Sequence, residues 1–370
     1  MRLGMQLGYW PASPPAGAAD AVRAADAAGL DSVWTAEAYG SDALTPLAWW
    51  GAATRRVRLG TAIAQMYART PAATAMAALT LDHLSGGRFV LGLGASGPQV
   101  VEGWYGQPYR RPLARTREYV QVVRDVLRRE APVTADGDFI RLPLPAPATP
   151  LGPGASRAAR DAEPTGLGKA LRSTVRPLRA DLPIHLAAEG PRNVALAGEI
   201  ADGWLPAFYA PRLDASLREP LEDGLARRSG ALRPREEFEV CATVPVVVRE
   251  TLDEAADAVR PHLALYVGGM GAKGANFHLE AVARLGYREV CEEIQALYLE
   301  GRTEEAAAAV PLELVQDVTL VGTLDDVAAR LRDWDATAVT TMLLQGDPAT
   351  WRALLSPGSP VLGPASHAGP

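Results

Sequence analysis

The chain has 370 residues, of which 48% are hydrophobic and 22% are charged, and its formal net charge is −6. These values are typical of a globular protein, and the negative balance argues against nucleic acid as a main partner. The two cysteines are far apart and the five histidines show no ligand spacing. We therefore expect no disulfide framework, no metal site and a reducing, cytoplasmic location. No secretion signal or bilayer-long apolar run is apparent, so no membrane partner is expected.

Short apolar runs alternate along the chain with alanine-rich stretches of helical periodicity. The runs predict eight strands and the stretches predict helices, several of which begin at proline or end at glycine. In chain order, the predicted strands cover residues 3–7, 32–35, 57–63, 89–93, 183–188, 203–206, 238–248 and 339–344, and the predicted helices cover 16–28, 45–53, 71–84, 112–130, 191–201, 212–228, 252–266 and 324–335.

Two insertions interrupt this alternation. The first, at about 143–182, begins with a stretch rich in proline, glycine and alanine that predicts irregular structure. The second, at about 268–317, predicts mostly helix. The composition of residues 356–370 predicts a disordered tail, which leaves residues 1–355 as a single domain.

Eight strands that alternate with helices predict an α/β fold, a (β/α)8 TIM barrel. A doubly wound open sheet is the competing fold. The number of strands and the lack of a Gly-x-Gly-x-x-Gly motif after the first strand favour the barrel. In such a barrel the functional loops follow the carboxyl ends of the strands.

The loops after the first five predicted strands bring aromatic and small side chains, with few carboxylates, to one mouth of this barrel. Such a lining suits a flat, largely apolar ring as ligand and predicts a small-molecule substrate. The side chains predicted to contact the substrate are Tyr9, Trp10, Tyr39, Met66 and Tyr67.

Two features of these loops indicate chemistry. Glu37 follows the second strand near Trp34 and Tyr39, and apolar surroundings would help it to hold a proton for acid/base catalysis. A solvated or arginine-paired carboxylate is the alternative. The turn Glu189–Asn193 precedes a helix, so its backbone N–H groups and Arg192 form the best candidate anion site. An ordinary strand-to-helix turn is the alternative there.

Motifs distributed over nearly the whole chain carry a family resemblance. With them the chain resembles the bacterial-luciferase-like superfamily, and within it the branch of oxidoreductases that use the deazaflavin coenzyme F420. The motifs are more specific for the superfamily than for the cofactor. They are Gly4–Trp10, Trp34–Ala38, Arg58–Thr61, Ala68–Pro71, Leu81–Arg88, Gly92–Gly94, Ala188–Pro191 and Ala201–Trp204.

This resemblance implies a TIM barrel with the tricyclic ring of F420 in its mouth, and a homodimer. It implies a non-proline cis peptide at Ala62–Ile63 behind the ring, and the cofactor phosphate at Gly190–Asn193. Hydride would pass between C5 of the deazaflavin and a substrate stacked above it. The cofactor-binding residues that it implies are Gln6, Gly8, Trp34, Ala62, Ile63, Gly94, Ala95, Ser96, Gly97, Glu189, Gly190, Pro191, Arg192 and Asn193.

The chain departs from relatives in two places. Several relatives carry an Asp-His or similar pair where this chain has Glu37-Ala38. Relatives that oxidise sugar phosphates carry a glutamate where this chain has Pro98 or Gln99, so that activity is not implied. We predict Glu37 as the catalytic acid/base, with Glu102 and Glu189 as alternatives.

The function predicted from these observations is an F420-dependent oxidoreductase that acts on a small organic substrate. Two alternatives remain open. One is an FMN-dependent luciferase-like monooxygenase, which keeps the fold and changes the cofactor. The other is a non-catalytic barrel that binds flavin or a partner protein.

Overall fold

The computed structural model of the protein describes residues 1–10, 12–147, 156, 163–271 and 274–362. Among these residues, eight parallel strands close into a barrel in the order β1-β2-β3-β5-β8-β9-β10-β12 and back to β1, which confirms the predicted (β/α)8 fold. In chain order, the strands are β1 Arg2–Gln6, β2 Ser32–Thr35, β3 Arg58–Thr61, β4 Ala64–Gln65, β5 Phe89–Gly94, β6 Ala135–Asp136, β7 Arg141–Leu142, β8 Ile184–Ala187, β9 Gly203–Leu205, β10 Glu239–Val248, β11 Leu320–Gly322 and β12 Thr341–Gln345.

Helices connect these strands and form the outer layer of the barrel. Thr70 caps the helix Pro71–Ser85 by accepting a hydrogen bond from Ala73 N, and Gly86 ends it with a φ of 65°. The α-helices are α1 Ala18–Ala28, α2 Leu44–Gly51, α3 Pro71–Ser85, α4 Pro98–Gly103, α5 Pro112–Arg128, α6 Pro191–Ile200, α7 Asp214–Leu225, α8 Leu252–Ala264, α9 Phe277–Val282, α10 Arg288–Leu299, α11 Thr303–Ala308, α12 Leu312–Val318, α13 Leu324–Leu331 and α14 Pro348–Leu354.

The structure corrects the predicted strands in three places. The third predicted strand is broken, because β3 ends at Thr61 and β4 begins at Ala64. Strand β11 was not predicted; it extends the sheet by pairing with Val246–Val248 of β10. The short antiparallel pair β6–β7 was also missed.

Parts of the predicted insertions and tail can be placed. Residues 148–155 and 157–162 of the first insertion lie outside the described residues. The second insertion is mostly helical, as predicted, although 272–273 lie outside the description. In the predicted tail, Val361 is buried against the core, and 363–370 lie outside the described residues.

The second insertion forms an apolar core of its own against α8. Val267, Val282 and Ile294 are fully buried there, and Val318 is nearly so. A π-helical turn, Leu265–Gly269, follows α8, and a kink at Gly286, with a φ of 103°, separates α9 from α10. This packing fixes the insertion beside the mouth of the barrel, since several of its side chains line the cavity there.

A buried polar cluster occupies the opposite, amino-terminal end of the strands. A ring nitrogen of His185, a carboxylate oxygen of Glu239 and the sulfur of Cys241 all lie within 4.8 Å of one another. Burial raises the pKa of the Cys241 thiol, and Glu239 Oε1 lies 2.8 Å from Arg58 Nη1 and 3.1 Å from Arg2 Nη2. A protonated thiol and a carboxylate paired with two arginines fit a structural cluster that ties strand ends together.

Candidate active site

A cavity of about 970 Å³ opens at the carboxyl ends of the barrel strands. Gln6 ends β1, Gly94 ends β5 and Gln345 ends β12, and all three line the cavity. The predicted site residues that the structure brings together in its wall are Gln6, Gly8, Tyr9, Glu37, Ala62, Ile63, Gly94, Ala95, Ser96, Gly97, Glu189, Gly190, Pro191, Arg192 and Asn193.

Five predicted contact residues lie outside this wall. Trp34 is fully buried inside the barrel, with its ring stacked 5.9 Å from that of His185. Side chains alternate across a strand, and Trp34 belongs to the set that points into the interior. The other four predicted contact residues outside the wall are Trp10, Tyr39, Met66 and Tyr67. A position just after a strand therefore did not decide whether a side chain reaches the cavity.

The remaining four side chains have packing partners of their own. The rings of Trp10 and Trp50 are 6.1 Å apart, and Met66 is buried in the core. Arg115 lies over the ring of Tyr67, 4.5 Å from its centre. Tyr39 is exposed, with its ring 6.4 Å from that of Tyr9 at the rim of the cavity.

The peptide bond between Ala62 and Ile63 is cis, as the family resemblance implies. It lies between β3 and β4 in the cavity wall. Gln6 Nε2 donates to Ala62 O at 3.1 Å, so β1 holds the bulge although β2 lies between β1 and β3 in the barrel. A Cβ on Gly94 would lie 2.8 Å from the Ile63 side chain, so glycine is needed to make room for it.

Glu37 is buried, and both of its carboxylate oxygens are occupied. Ala43 N donates to Oε2 at 3.1 Å and Gln65 N donates to Oε1 at 2.8 Å. Arg69 Nη1 lies 2.7 Å from Oε1 and 2.9 Å from Oε2. These donors favour the arginine-paired alternative for Glu37, and through them the carboxylate connects three segments of the wall. The acid/base role of Glu37 stays a prediction.

The turn from Glu189 to Asn193 has the arrangement expected of an anion site. Gly190 has extended backbone geometry and caps α6, and Pro191 occupies the first turn of that helix. A Cβ placed on Gly190 would meet no atom within 4 Å, so the space in front of the turn is open. Arg192 is exposed at the cavity, and Arg284 donates to Glu189 O at 2.7 Å, which brings a second cation to the turn.

The sequence analysis missed a group of aromatic, histidine and methionine side chains in the wall. Most come from α8, the π-helical turn after it, and α9, where the strand-end rule does not apply. Tyr109, from the segment between α4 and α5, has its ring 6.3 Å from that of Phe277. No local motif marks these residues; they are Tyr109, Phe208, His262, Tyr266, Met270, Phe277 and His278.

His278 faces Glu189, one of the two alternative acids. Its Nδ1 lies 2.6 Å from Glu189 Oε1, and the His278 side chain is 27% exposed. Burial opposes the charged imidazolium, but the Glu189 carboxylate outweighs burial and raises the pKa of His278. The other alternative, Glu102, lies outside the cavity wall, where its Oε1 accepts from Tyr109 N at 3.0 Å.

A family model and similar proteins of known name agree on the family to which the sequence is related. The sequence model for luciferase-like monooxygenases matches residues 3–341. A Mycobacterium tuberculosis protein named as a coenzyme F420-dependent oxidoreductase is 55% identical over 93% of this chain and 94% of its own. A 5,10-methylenetetrahydromethanopterin reductase from Archaeoglobus fulgidus is 27% identical over 87% of both chains.

Solved structures agree with the fold. The F420-dependent tetrahydromethanopterin reductase from Methanopyrus kandleri superposes with a TM-score of 0.74, covering 98% of this chain and 96% of the reductase at 22% identity. At that identity the likeness concerns the fold. Among the described residues, no helix combines the length and apolar character needed to cross a membrane.

Proposed function

This chain belongs to the luciferase-like monooxygenase family, and from that premise we propose that it is an F420-dependent oxidoreductase that transfers hydride between the deazaflavin and a small organic substrate. The 55% identity to a protein named as a coenzyme F420-dependent oxidoreductase supports this function within the family. The single structural observation that carries it is a cavity of about 970 Å³ at the carboxyl ends of the barrel strands, with the turn Glu189–Asn193 at the amino terminus of α6 in its wall.

The cavity residues fit a flat tricyclic ring. Ile63 projects from the bulge against Gly94, and a Cβ on Gly97 would meet no atom within 4 Å. Gly94 and Gly97 therefore leave room beside Ile63 for a ring. We propose that the ring is held by the bulge and by the strand ends around it, with Gln6, Gly8, Ala62, Ile63 and Gly94–Gly97 as its contacts.

The turn Glu189–Asn193 fits the cofactor phosphate. The amino terminus of α6 and the guanidinium of Arg192 supply donors and positive charge, and Arg284 adds a cation nearby. We propose that Gly190, Arg192 and Asn193 bind the phosphate, while Glu189 faces His278 on the side of the substrate.

The chain's own residues then bind and orient the cofactor and the substrate, and they exclude water from the cavity. Reduced F420 supplies a hydride from C5, and a deazaflavin does not readily activate oxygen. Gln6 fixes the Ala62 carbonyl, and through it the bulge behind the ring. The aromatic side chains Tyr109, Phe208 and Phe277 exclude water above it.

Cofactor retention tests this function. The purified protein is equilibrated with oxidised F420 or with FMN and ultrafiltered, and bound cofactor is quantified by absorbance. We expect retention of F420 in a 1:1 complex and little retention of FMN. Tight FMN binding with no retention of F420 would instead favour the monooxygenase, and retention of neither would contradict both proposals.

Two further proposals concern the assembly and location of the protein. We propose a homodimer that buries exposed apolar side chains of α2 and α3, where Trp49 is 80%, Met76 61% and Leu84 74% exposed. Sedimentation of wild type and Trp49→Glu tests it, since the variant should shift toward monomer.

The two buried cysteine thiols suit a cytoplasmic location, which cell fractionation tests.

A further inference from the structure

The second insertion brings a histidine to a carboxylate in the cavity wall. His278 is on α9, and Glu189 follows β8, 89 positions earlier in the chain. His278 Nδ1 and Glu189 Oε1 are 2.6 Å apart. No described residue bonds to His278 Nε2, so this nitrogen remains for a ligand in the cavity that both side chains line.

The surroundings favour a charged His278 beside neutral neighbours. The ring of Tyr266 lies 5.0 Å from that of His278, and the ring of His262 lies 4.7 Å from that of Tyr266. Burial, and then the charge of His278, lower the pKa of His262 to about 4, so His262 is neutral at pH 7. Burial raises the pKa of Tyr266, which therefore keeps its proton.

Other charges near the pair come from the phosphate turn. Arg284 binds the backbone oxygen of Glu189, and Arg192 lines the same cavity three residues further on. Among the described residues neither arginine forms an ion pair with the carboxylate of Glu189, which leaves that carboxylate to balance the charge of His278. The ring of Phe208 packs edge-to-face against that of His278, with 6.0 Å between the ring centres.

We propose that the His278 imidazolium, positioned by Glu189, is the proton donor and acceptor of the site; this rests on the proposed function, because hydride transfer to a polar double bond needs a proton at its other atom. The geometry assigns the reaction to substrates with a carbonyl group whose oxygen reaches Nε2. The role of Glu189 is to position and charge the imidazole.

The chemistry balances with groups already named. The carbonyl carbon gains the hydride that reduced F420 supplies, and the π electron pair of the C=O bond moves to oxygen. The oxygen takes the proton from Nε2 of His278, which gives an alcohol and a neutral imidazole. Water then restores the proton to the imidazole. In the reverse direction the neutral imidazole accepts the alcohol proton as hydride leaves carbon.

A titration without cofactor tests the ion pair. The imidazole resonances of the five histidines are followed by NMR against pH, and His278→Gln assigns the signal. We expect the pKa of His278 to lie above its ordinary value in wild type and to fall by about one pH unit or more in Glu189→Gln. Glu280→Gln, on the same helix but paired with Arg288, should leave it unchanged. A wild-type value at or below the ordinary one, or no response to Glu189→Gln, overturns the proposal.

A mimic of the developing oxyanion tests donation. 4-Nitrophenolate absorbs visible light, and its binding to the F420-loaded protein is measured by that absorbance at pH 7.5. We expect His278→Gln to weaken binding by about tenfold or more, because a hydrogen bond from a charged donor is lost. Glu280→Gln should bind as wild type does. Equal binding by His278→Gln, or no binding by wild type, overturns the proposal.

The affinity for F420 separates this inference from the proposed function. Fluorescence titration should give the same dissociation constant for wild type and His278→Gln. A weaker affinity in the variant would assign the imidazolium to the cofactor's anionic groups and overturn the proton-donor role. If wild type binds no F420, the proposed function fails, whereas the cofactor-free titration still reports on the ion pair by itself.

Discussion

Two carboxylates in the cavity wall differ in what surrounds them. Glu37 is saturated by two backbone N–H groups and by Arg69, whereas Glu189 faces a histidine that has a second nitrogen available. A proton on either carboxylate oxygen of Glu37 would point at an N–H group that already donates to that carboxylate. At the scale of the residue, partners rather than position after a strand decide which carboxylate can take part in proton transfer.

Glu37→Gln is therefore expected to act on stability first. The buried Arg69 pair is lost, and we expect the free energy of unfolding to fall by about 3 kcal/mol, measured by urea denaturation. F420 affinity should weaken as the wall loosens.

A Glu102→Gln variant is the matched control, because that exposed carboxylate lies outside the cavity wall. If Glu37→Gln is instead as stable as wild type and loses hydride transfer alone, Glu37 is the acid/base that the sequence predicts.

Gly94→Ala tests the wall behind the ring. The added Cβ would lie 2.8 Å from Ile63 Cδ1 and Cγ1, so the side chain of Ile63 must shift. Since that side chain can move, we expect stability to fall by only about 1–2 kcal/mol while F420 affinity falls by about tenfold. Fluorescence titration measures the affinity.

Gly103→Ala is the control for this variant, because a Cβ at Gly103 would meet no atom within 4 Å. Unchanged F420 affinity in Gly94→Ala would contradict a ring placed against Ile63.

At the scale of elements, Asp202 holds the connection between α6 and β9. It is 2% exposed, and its Oδ2 lies 2.9 Å from Arg124 Nη2 of α5 while its Oδ1 lies 3.0 Å from Arg228 Nη2. Ile184 N of β8 also donates to it at 3.0 Å. One buried carboxylate thus fixes a helix of the outer layer against two barrel strands.

Asp202→Asn leaves two buried guanidinium groups without their counter-charge. We expect the free energy of unfolding to fall by about 3–5 kcal/mol, measured by urea denaturation at pH 7. Glu199→Gln, which removes a partly exposed carboxylate of α6, should cost less than about 1 kcal/mol. A loss as small for Asp202→Asn as for Glu199→Gln would contradict this role.

The arginine after α3 shows how far local signals reach. The sequence predicted this helix over residues 71–84, and in the structure it ends at Ser85, followed by Gly86 and Gly87 with φ values of 65° and 86°. The partners of Arg88 were not predictable: it donates to Val57 O at 2.5 Å and to Ser85 O at 2.8 Å. A helix end is a local event, whereas a hydrogen bond across 31 positions depends on the closed barrel.

At the scale of the whole molecule, buried histidines couple stability to pH. Burial lowers the pKa of His185 and of His262 to about 4, below the ordinary value of 6.5. Their stabilising contribution is complete above pH 6.5 and is lost as pH falls toward 4, because the unfolded chain binds the protons first. Burial alone would raise the pKa of Glu239, but His185 when protonated, Arg58 and Arg2 lower it to about 2, so its contribution is lost below pH 4.5.

We therefore expect the free energy of unfolding to fall by up to about 3 kcal/mol for each histidine between pH 6.5 and 4. Urea denaturation at intervals across this range measures it. His262→Gln should remove about half of the dependence of the free energy of unfolding on pH in this range. A free energy that stays constant from pH 6.5 to 4, in wild type, would contradict the burial of two neutral histidines.

The sequence by itself determined the barrel, the order of its strands and part of the cavity wall. Helical and strand periodicities are local, and strand ends of a parallel barrel must meet at one mouth, so residues such as Gly94 and Gly190 could be placed from the chain alone. The resemblance implied the cis peptide at Ala62–Ile63, and the structure has it.

Only the tertiary structure decided which side chains reach the cavity and what they meet there. Trp34 turned into the barrel interior, Glu37 met Arg69, and the second insertion brought His278 to Glu189. These outcomes depend on the packing of segments distant in sequence, which no local period or motif encodes. The physical reason is that a side chain's charge state and exposure depend on its neighbours in space.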